Sequence, residues 1–267
     1  MEERLQKIMA SHNLGSRRDC EVIIQEGRVK VNGQVVRLGD KADAGIDRIE
    51  VDGKVLPKNS PDKVYFALNK PQGVLSDDDD TENRPTVFQF VPYEGHLFSV
   101  GRLDFDSEGL ILLTNDGELA NHLTHPRYGH EKEYMVLVGR EPDTKQLGAW
   151  RRGVVLPEDG ERTQPAKVFI EKKGAGNNVW LRIIMSEGKK RQIRKVGAAI
   201  GLPVLRIVRV RIGNLLLGNL KEGKWRALTA SEVDSLKKLT AHAKVKKPIN
   251  PRRFTTPKYK KKGDQLE

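Results

Sequence analysis

The sequence predicts an α+β fold in two parts, a small N-terminal module followed by a larger domain on a mixed, mainly antiparallel sheet. Three observations carry that prediction. Two short helical patterns open the chain, a turn-punctuated set of strands follows, and residues 64–228 interleave period-two apolar alternation with short helical stretches and glycine-rich turns. With 267 residues and 37% hydrophobic content the chain can bury a sizeable core, which excludes a wholly disordered or fibrous protein.

Taken in order, Leu5, Ile8 and Met9 fall at helical spacing and Gly15 ends the pattern. Ser16 with Asp19 three residues on reads as a capping box, opening a second helix whose apolar stripe is Cys20, Ile23 and Ile24 and whose stop is Gly27. Arg28 to Val31, the Asn32-Gly33 turn and Gln34 to Arg37 read as a tight hairpin. Ile49, Val51 and Val55 supply further strand, and Pro57 to Asp62 reads as a linker. Beyond it, Tyr134, Val136 and Val138 alternate, as do Val179, Leu181, Ile183 and Met185. Asp116 precedes a helix carrying Leu119 and Leu123, and a last helix is predicted from Ala230 to His242. The division expected is 1–60, 61–243 and a basic tail over 244–267, disordered until bound.

Charge narrows the function classes. The chain carries 48 Lys plus Arg against 36 Asp plus Glu, a net +12, and the excess is concentrated in residues 182–226 and in the tail. Segregated basic stretches are the footprint of a polyanion, or else a solvated surface. No apolar run approaches the roughly 18 residues of a membrane-spanning helix. No secretory signal opens the chain, and a single cysteine, Cys20, excludes a disulfide framework and a multi-cysteine zinc site, so a cytoplasmic location is expected.

Chemistry concentrates in GRLDFDSEGLILLTNDG, residues 101–117. Asp104, Asp106 and Glu108 before Gly109 imitate half of a calcium loop. The imitation fails because Asn115 stands where the last carboxylate is required and Leu110 to Leu113 is an apolar strand. By itself Asp104 caps a turn or does chemistry, and Tyr134 is core or a stacking surface. Arg17 and Arg18, in the first turn of a helix whose dipole disfavours cations, meet an anion or project into water.

Two resemblances decide among these. The run SRRDCEVIIQEGRVKVNG resembles the alpha-L RNA-binding module of a small-subunit ribosomal protein, which implies an RNA surface bearing Arg17, Arg18, Arg28 and Lys30. GRLDFDSEGLILLTNDG, with NKPQG at 69–73, Lys132-x-Tyr134 and EGKKRQIRKV at 187–196 in that order, resembles the ribosomal RNA pseudouridine synthases that modify a single uridine. The resemblance implies isomerisation of uridine on a flipped-out base, without a cofactor or metal. It makes Asp104, Tyr134 and Arg194 the catalytic set, with Asp104 as nucleophile or proton-abstracting group and Arg194 as the cation that keeps it ionised. Arg102 is implied to fill the place of the flipped base, with pairing inside the fold as its alternative. Lys132, Lys190 and Arg191 are placed at the RNA, while Asn69, Lys70 and Pro71 are given a structural part. Apart from the resemblance, the apolar stripe of Ile193, Val196 and Ile200 predicts that Lys190 and Arg194 stack on another face of the same helix. The partner implied is ribosomal RNA or a ribosomal subunit precursor, the location away from membranes, and the chain a monomer. The basic tail favours large-subunit RNA; the alternatives are the same reaction on small-subunit RNA and a non-catalytic ribosome-assembly factor. One departure is VLSDDDDTENRPTV, where Asp77 to Asp80 would repel phosphate, so that loop is expected to point away or to contact basic protein.

Overall fold

The computed structural model describes residues 1–77, 83–158 and 160–241, so the basic tail, His242 and Asp78 to Asp80 lie outside the described residues. The N-terminal elements are β1 (Glu3–Arg4), α1 (Leu5–Ser11), α2 (Arg17–Gln25), β2 (Val29–Val31), β3 (Gln34–Val35), β4 (Lys41–Ala42), β5 (Ile49–Val51) and β6 (Lys54–Val55). The capping box forms in full: the Asp19 N–H donates to Ser16 Oγ and the Ser16 N–H donates to the Asp19 carboxylate. Asn32 and Gly33 both take positive φ, 53° and 83°, as a tight turn between β2 and β3 requires. β3, β2, β5 and β6 form an antiparallel sheet against which the two helices bury Leu5, Met9, Cys20 and Ile24. Burial pushes the Cys20 thiol up to about 11, so it behaves as a small apolar core residue.

The larger part is one nine-stranded sheet. Its strands are β7 (Tyr65–Lys70), β8 (Phe98–Val100), β9 (Glu108–Thr114), β10 (Lys132–Val138), β11 (Lys167–Lys173), β12 (Val179–Met185), β13 (Val204–Ile212), β14 (Leu215–Leu216) and β15 (Trp225–Ala227). The main path runs β11-β12-β10-β13-β9-β7-β15, with β14 on β13 and β8 on β9, and only β13 and β9 pair in parallel among the described strands. Helices α3 (Gly117–Thr124), α4 (Thr144–Arg152), α5 (Gln192–Ala199) and α6 (Ala230–Ala241) cover its faces. β9 reads as an unbroken apolar run because both of its faces are covered. Leu110 and Leu112 meet α3 and α6, while Ile111 and Leu113 meet Leu68, Val74 and Val87 on the other side.

The basic stretch over 182–226 is segregated in sequence but not in space. Arg206 pairs with Glu108, Arg211 with Glu131 and Glu133, Arg182 with Glu171, Lys195 with Glu158 and Arg226 with Glu232. Arg209 is 1% exposed. Most of that stretch is therefore paired with acids of the fold, which corrects only its reading as wholly unpaired positive charge, since the Arg182, Arg206 and Arg226 side chains stay 36%, 46% and 37% exposed. The correction has a simple origin, since the neutralising acids come from other strands and helices.

Candidate active site

Asp104 stands on the turn between β8 and β9, where the sheet changes from antiparallel to parallel pairing. Four groups clamp the backbone of that turn. Ser76 Oγ donates to the Leu103 carbonyl at 2.8 Å and accepts from the Leu103 N–H at 3.0 Å. Lys70 Nζ donates to the carbonyls of Asp104 at 3.2 Å and Ser107 at 2.7 Å, and to that of Pro71 at 3.0 Å. The Gly73 N–H donates to the Phe105 carbonyl at 2.9 Å. From beneath, Arg209 Nε donates to the Leu110 carbonyl at 2.7 Å and Nη1 to the Arg102 carbonyl at 3.2 Å.

Gly109 makes the arrangement possible. It pairs with Arg209 across the parallel seam at a φ of 107°, and a Cβ there would fall 2.3 Å from the Arg209 carbonyl oxygen. Only glycine allows so close an approach. Arg209 has carbonyl oxygens as its acceptors; burial pulls its guanidinium below the ordinary value, and the neighbouring Tyr134 phenol opposes the shift.

The turn forms one wall of a cleft of about 350 Å³, lined also by Arg102, Ser107, Tyr134, Lys190, Arg191, Ile193 and Ile207. Tyr134 belongs both to the core and to this cleft. Arg102 reaches Asp77 at 2.9 Å, the contact with basic protein expected of the acidic loop. Arg191 takes both oxygens of Asp106, each at 3.0 Å. Arg194 lies 3.1 Å from Asp106 through Nε and donates to the Asp106 carbonyl at 2.9 Å. The structure thus seats Arg194 on Asp106, two residues along the turn from Asp104, and it is Arg191 that shares the cleft lining with Asp104.

Lys190 and Arg194 do not stack on a helical face. α5 starts at Gln192, and Arg191 before it adopts a left-handed φ of 54°, so helical spacing does not extend back to Lys190. Lys132 sits behind the turn, its Cε 3.9 Å from where a Cβ on Gly101 would lie; burial, and then the charge of Arg209, pull its ammonium down to about 8. Lys70 is likewise drawn down to about 8 by burial. In the N-terminal module Arg17, Arg18 and Lys30 are exposed, whereas Arg28 is held at 2.7 Å by Asp52 and at 2.8 Å by Glu26. Arg17 and Lys7 also line a second groove together with His122 and Arg127 of the larger part. The residues that sequence reasoning missed are Ser76, Ser107 and Arg209, whose contacts join segments up to about a hundred residues apart.

The sequence matches the RNA pseudouridylate synthase family over residues 64–199 and the S4 domain over residues 3–45. It is 42% identical over 249 residues to "Ribosomal large subunit pseudouridine synthase B" of Bacillus subtilis (strain 168), covering 91% of this chain and 98% of that protein. It is 39% identical to the protein of the same name from Escherichia coli (strain K12), covering 90% and 84%. An Aquifex aeolicus (strain VF5) relative named "Uncharacterized RNA pseudouridine synthase" is 42% identical over 88% of this chain. A solved structure titled "Crystal structure of pseudouridylate synthase" superposes with a TM-score of 0.63 at 34% identity, covering 87% of this chain and 99% of that one. An S4 domain ahead of a clamped aspartate turn at the seam of a mixed sheet, with these matches over most of its length, makes the chain a member of the RNA pseudouridylate synthase family.

Proposed function

We propose that the protein converts one uridine of large-subunit (23S) ribosomal RNA to pseudouridine, with Asp104 acting on a base extruded into the cleft. The observation that carries this reading is the clamped Asp104 turn facing a cleft within the range of about 300–1,000 Å³ typical of small-ligand sites. The reaction breaks the bond from the sugar C1′ to N1 of uracil, rotates the freed base and forms a bond from C1′ to C5, while the C5 proton is lost and N1 gains one. No electron donor or group donor is consumed. One carboxylate serves either route into this chemistry, by attack at C1′ or by removal of the 2′ proton.

Tyr134 offers its ring to the extruded base, and Arg102 and Arg191 sit at the mouth beside RNA. Arg194 supplies positive charge to the turn through Asp106. Arg17, Arg18, Arg28, Lys30 and Lys190 make up the remaining RNA-facing set, while Lys132, half-buried behind the turn, supports it from within, with residues 1–60 as a docking module ahead of the catalytic domain over 61–243. The chain acts as a cytoplasmic monomer on ribosomal RNA or a subunit precursor, away from membranes. The large-subunit assignment rests on what the Bacillus and Escherichia relatives are named.

The test is carbodiimide mapping of both ribosomal RNAs from a strain lacking the gene, complemented with wild type or Asp104→Asn. One large-subunit site lost, and restored only by wild type, is the expected result. A small-subunit site would move the substrate to 16S RNA. Restoration by Asp104→Asn would remove Asp104 from the chemistry, and loss of no site would favour a non-catalytic assembly factor.

A further inference from the structure

Ser107 closes the turn that carries Asp104, and its backbone and side chain are treated differently. The backbone is fully used: its N–H donates to the Asp104 carbonyl at 3.0 Å and its carbonyl accepts from Lys70 at 2.7 Å. The side chain is buried, with the residue 2% exposed, yet its Oγ has no hydrogen-bond partner within the protein. Among the described residues it is the only buried hydroxyl in that state. Neighbouring buried hydroxyls are satisfied, Ser76 by both polar groups of Leu103 and Thr114 by the Val64 carbonyl at 2.6 Å.

A buried hydroxyl without a partner destabilises a fold, and alanine would fill nearly the same volume without that penalty. Ser107 also lines the cleft that holds Asp104 and Tyr134. Its position is fixed by the same clamp that fixes Asp104, three residues away, so whatever it binds is placed relative to the carboxylate.

We propose that Ser107 is a substrate-binding residue whose hydroxyl hydrogen-bonds a polar atom of the extruded uridine, on the uracil edge or on the ribose. The proposal rests on the uridine-isomerising reading above. A serine hydroxyl both donates and accepts, so it can meet a uracil carbonyl, the imide N–H or a ribose hydroxyl.

The experiment compares full-length wild type, Ser107→Ala and Ser107→Thr in single-turnover conversion of the mapped uridine, with thermal melting of each protein. Ser107→Ala should convert the uridine roughly ten- to hundredfold more slowly at subsaturating RNA, with Tm unchanged or raised, and Ser107→Thr should recover most of the rate. Binding to RNA carrying 2′-deoxyuridine at the target separates the two sources. A gap between wild type and Ser107→Ala that vanishes on the deoxy RNA assigns the contact to the ribose, and one that persists assigns it to the base. Conversion by Ser107→Ala within about twofold of wild type, or a loss accompanied by a lowered Tm, overturns the proposal. Failure of wild type itself to convert any uridine overturns the isomerase reading and this proposal with it.

Discussion

Arg191 grips both carboxylate oxygens of Asp106, each at 3.0 Å, from a left-handed backbone with φ of 54°. A non-glycine residue held there stores about 1–3 kcal/mol, and the bidentate pair is what retains it. Arg194 adds a second guanidinium 3.1 Å from the same carboxylate. Burial alone would raise the Asp106 carboxyl, but hydrogen bonds from Arg191 and the charge of Arg194 outweigh it and the net shift is downward. The stabilisation is therefore complete above the ordinary carboxylate value and is lost as pH falls through the lowered one. The Arg191 and Asp106 side chains are 42% and 41% exposed, so with solvent screening Asp106→Ala should cost only about 0.5–1 kcal/mol at neutral pH and flatten the acid limb of stability, both read by urea melts across pH.

The seam between β9 and β13 permits no side chain at Gly109, where a Cβ would stand 2.3 Å from one backbone atom of Arg209 and 2.6 Å from another. Gly109→Ala should destabilise the fold by about 3 kcal/mol or more, seen as a lowered Tm or loss of soluble protein. Lys70→Met is a milder lesion in the same turn. It takes the ammonium donor away from three carbonyls, of which that of Asp104 keeps the Ser107 N–H, and about 2 kcal/mol of stability should go with a far larger loss of turnover.

Lys132 gives the protein a signature on the alkaline side. Its ammonium is drawn from 10.5 to about 8 by burial first and the charge of Arg209 second. The unfolded chain keeps that proton to higher pH, so between about 8 and 10.5 the unfolded state binds more protons and stability rises with pH. Measured against Lys132→Met, wild type should gain on the order of 1–2 kcal/mol between about pH 7.5 and 9.5. Parallel stability curves for the two proteins would show that Lys132 does not titrate in this window.

Asp77 holds Arg102 at 2.9 Å although the arginine side chain is 74% exposed. Exposed pairs contribute about 0.2–1 kcal/mol, so Asp77→Asn should tighten RNA binding by no more than about fivefold through release of Arg102. A titration with target RNA reads this directly, and weaker binding would show the pair positions Arg102 for RNA.

What the sequence discloses depends on how local its cause is. The Ser16 and Asp19 capping box, the Asn32-Gly33 turn and the apolar run of β9 are set by neighbours a few residues apart, and each forms as its pattern predicts. The resemblance led to Asp104 and Tyr134, and the structure brings both to one cleft. Local pattern fails in β13, VLRIVRVRI, which lies inside the stretch over 182–226 that reads as concentrated positive charge. Its Arg206 and Arg209 point instead to Glu108 and to the carbonyl of Leu110, about a hundred residues earlier. Parallel pairing between β13 and β9 decides that, and no short-range period encodes it. The left-handed turn at Arg191 is equally hidden, because nothing in a lysine and arginine run announces a positive φ.

Arg209 sits where dissolved ions cannot reach it, and so does the ammonium of Lys70. Counterions weaken exposed charge pairs strongly and buried ones little. The hold on RNA and the geometry around Asp104 therefore answer to ionic strength separately. As potassium or sodium chloride is raised, affinity should fall steeply while the rate of the bound complex stays nearly level, so that the enzyme loses its substrate long before it loses its chemistry.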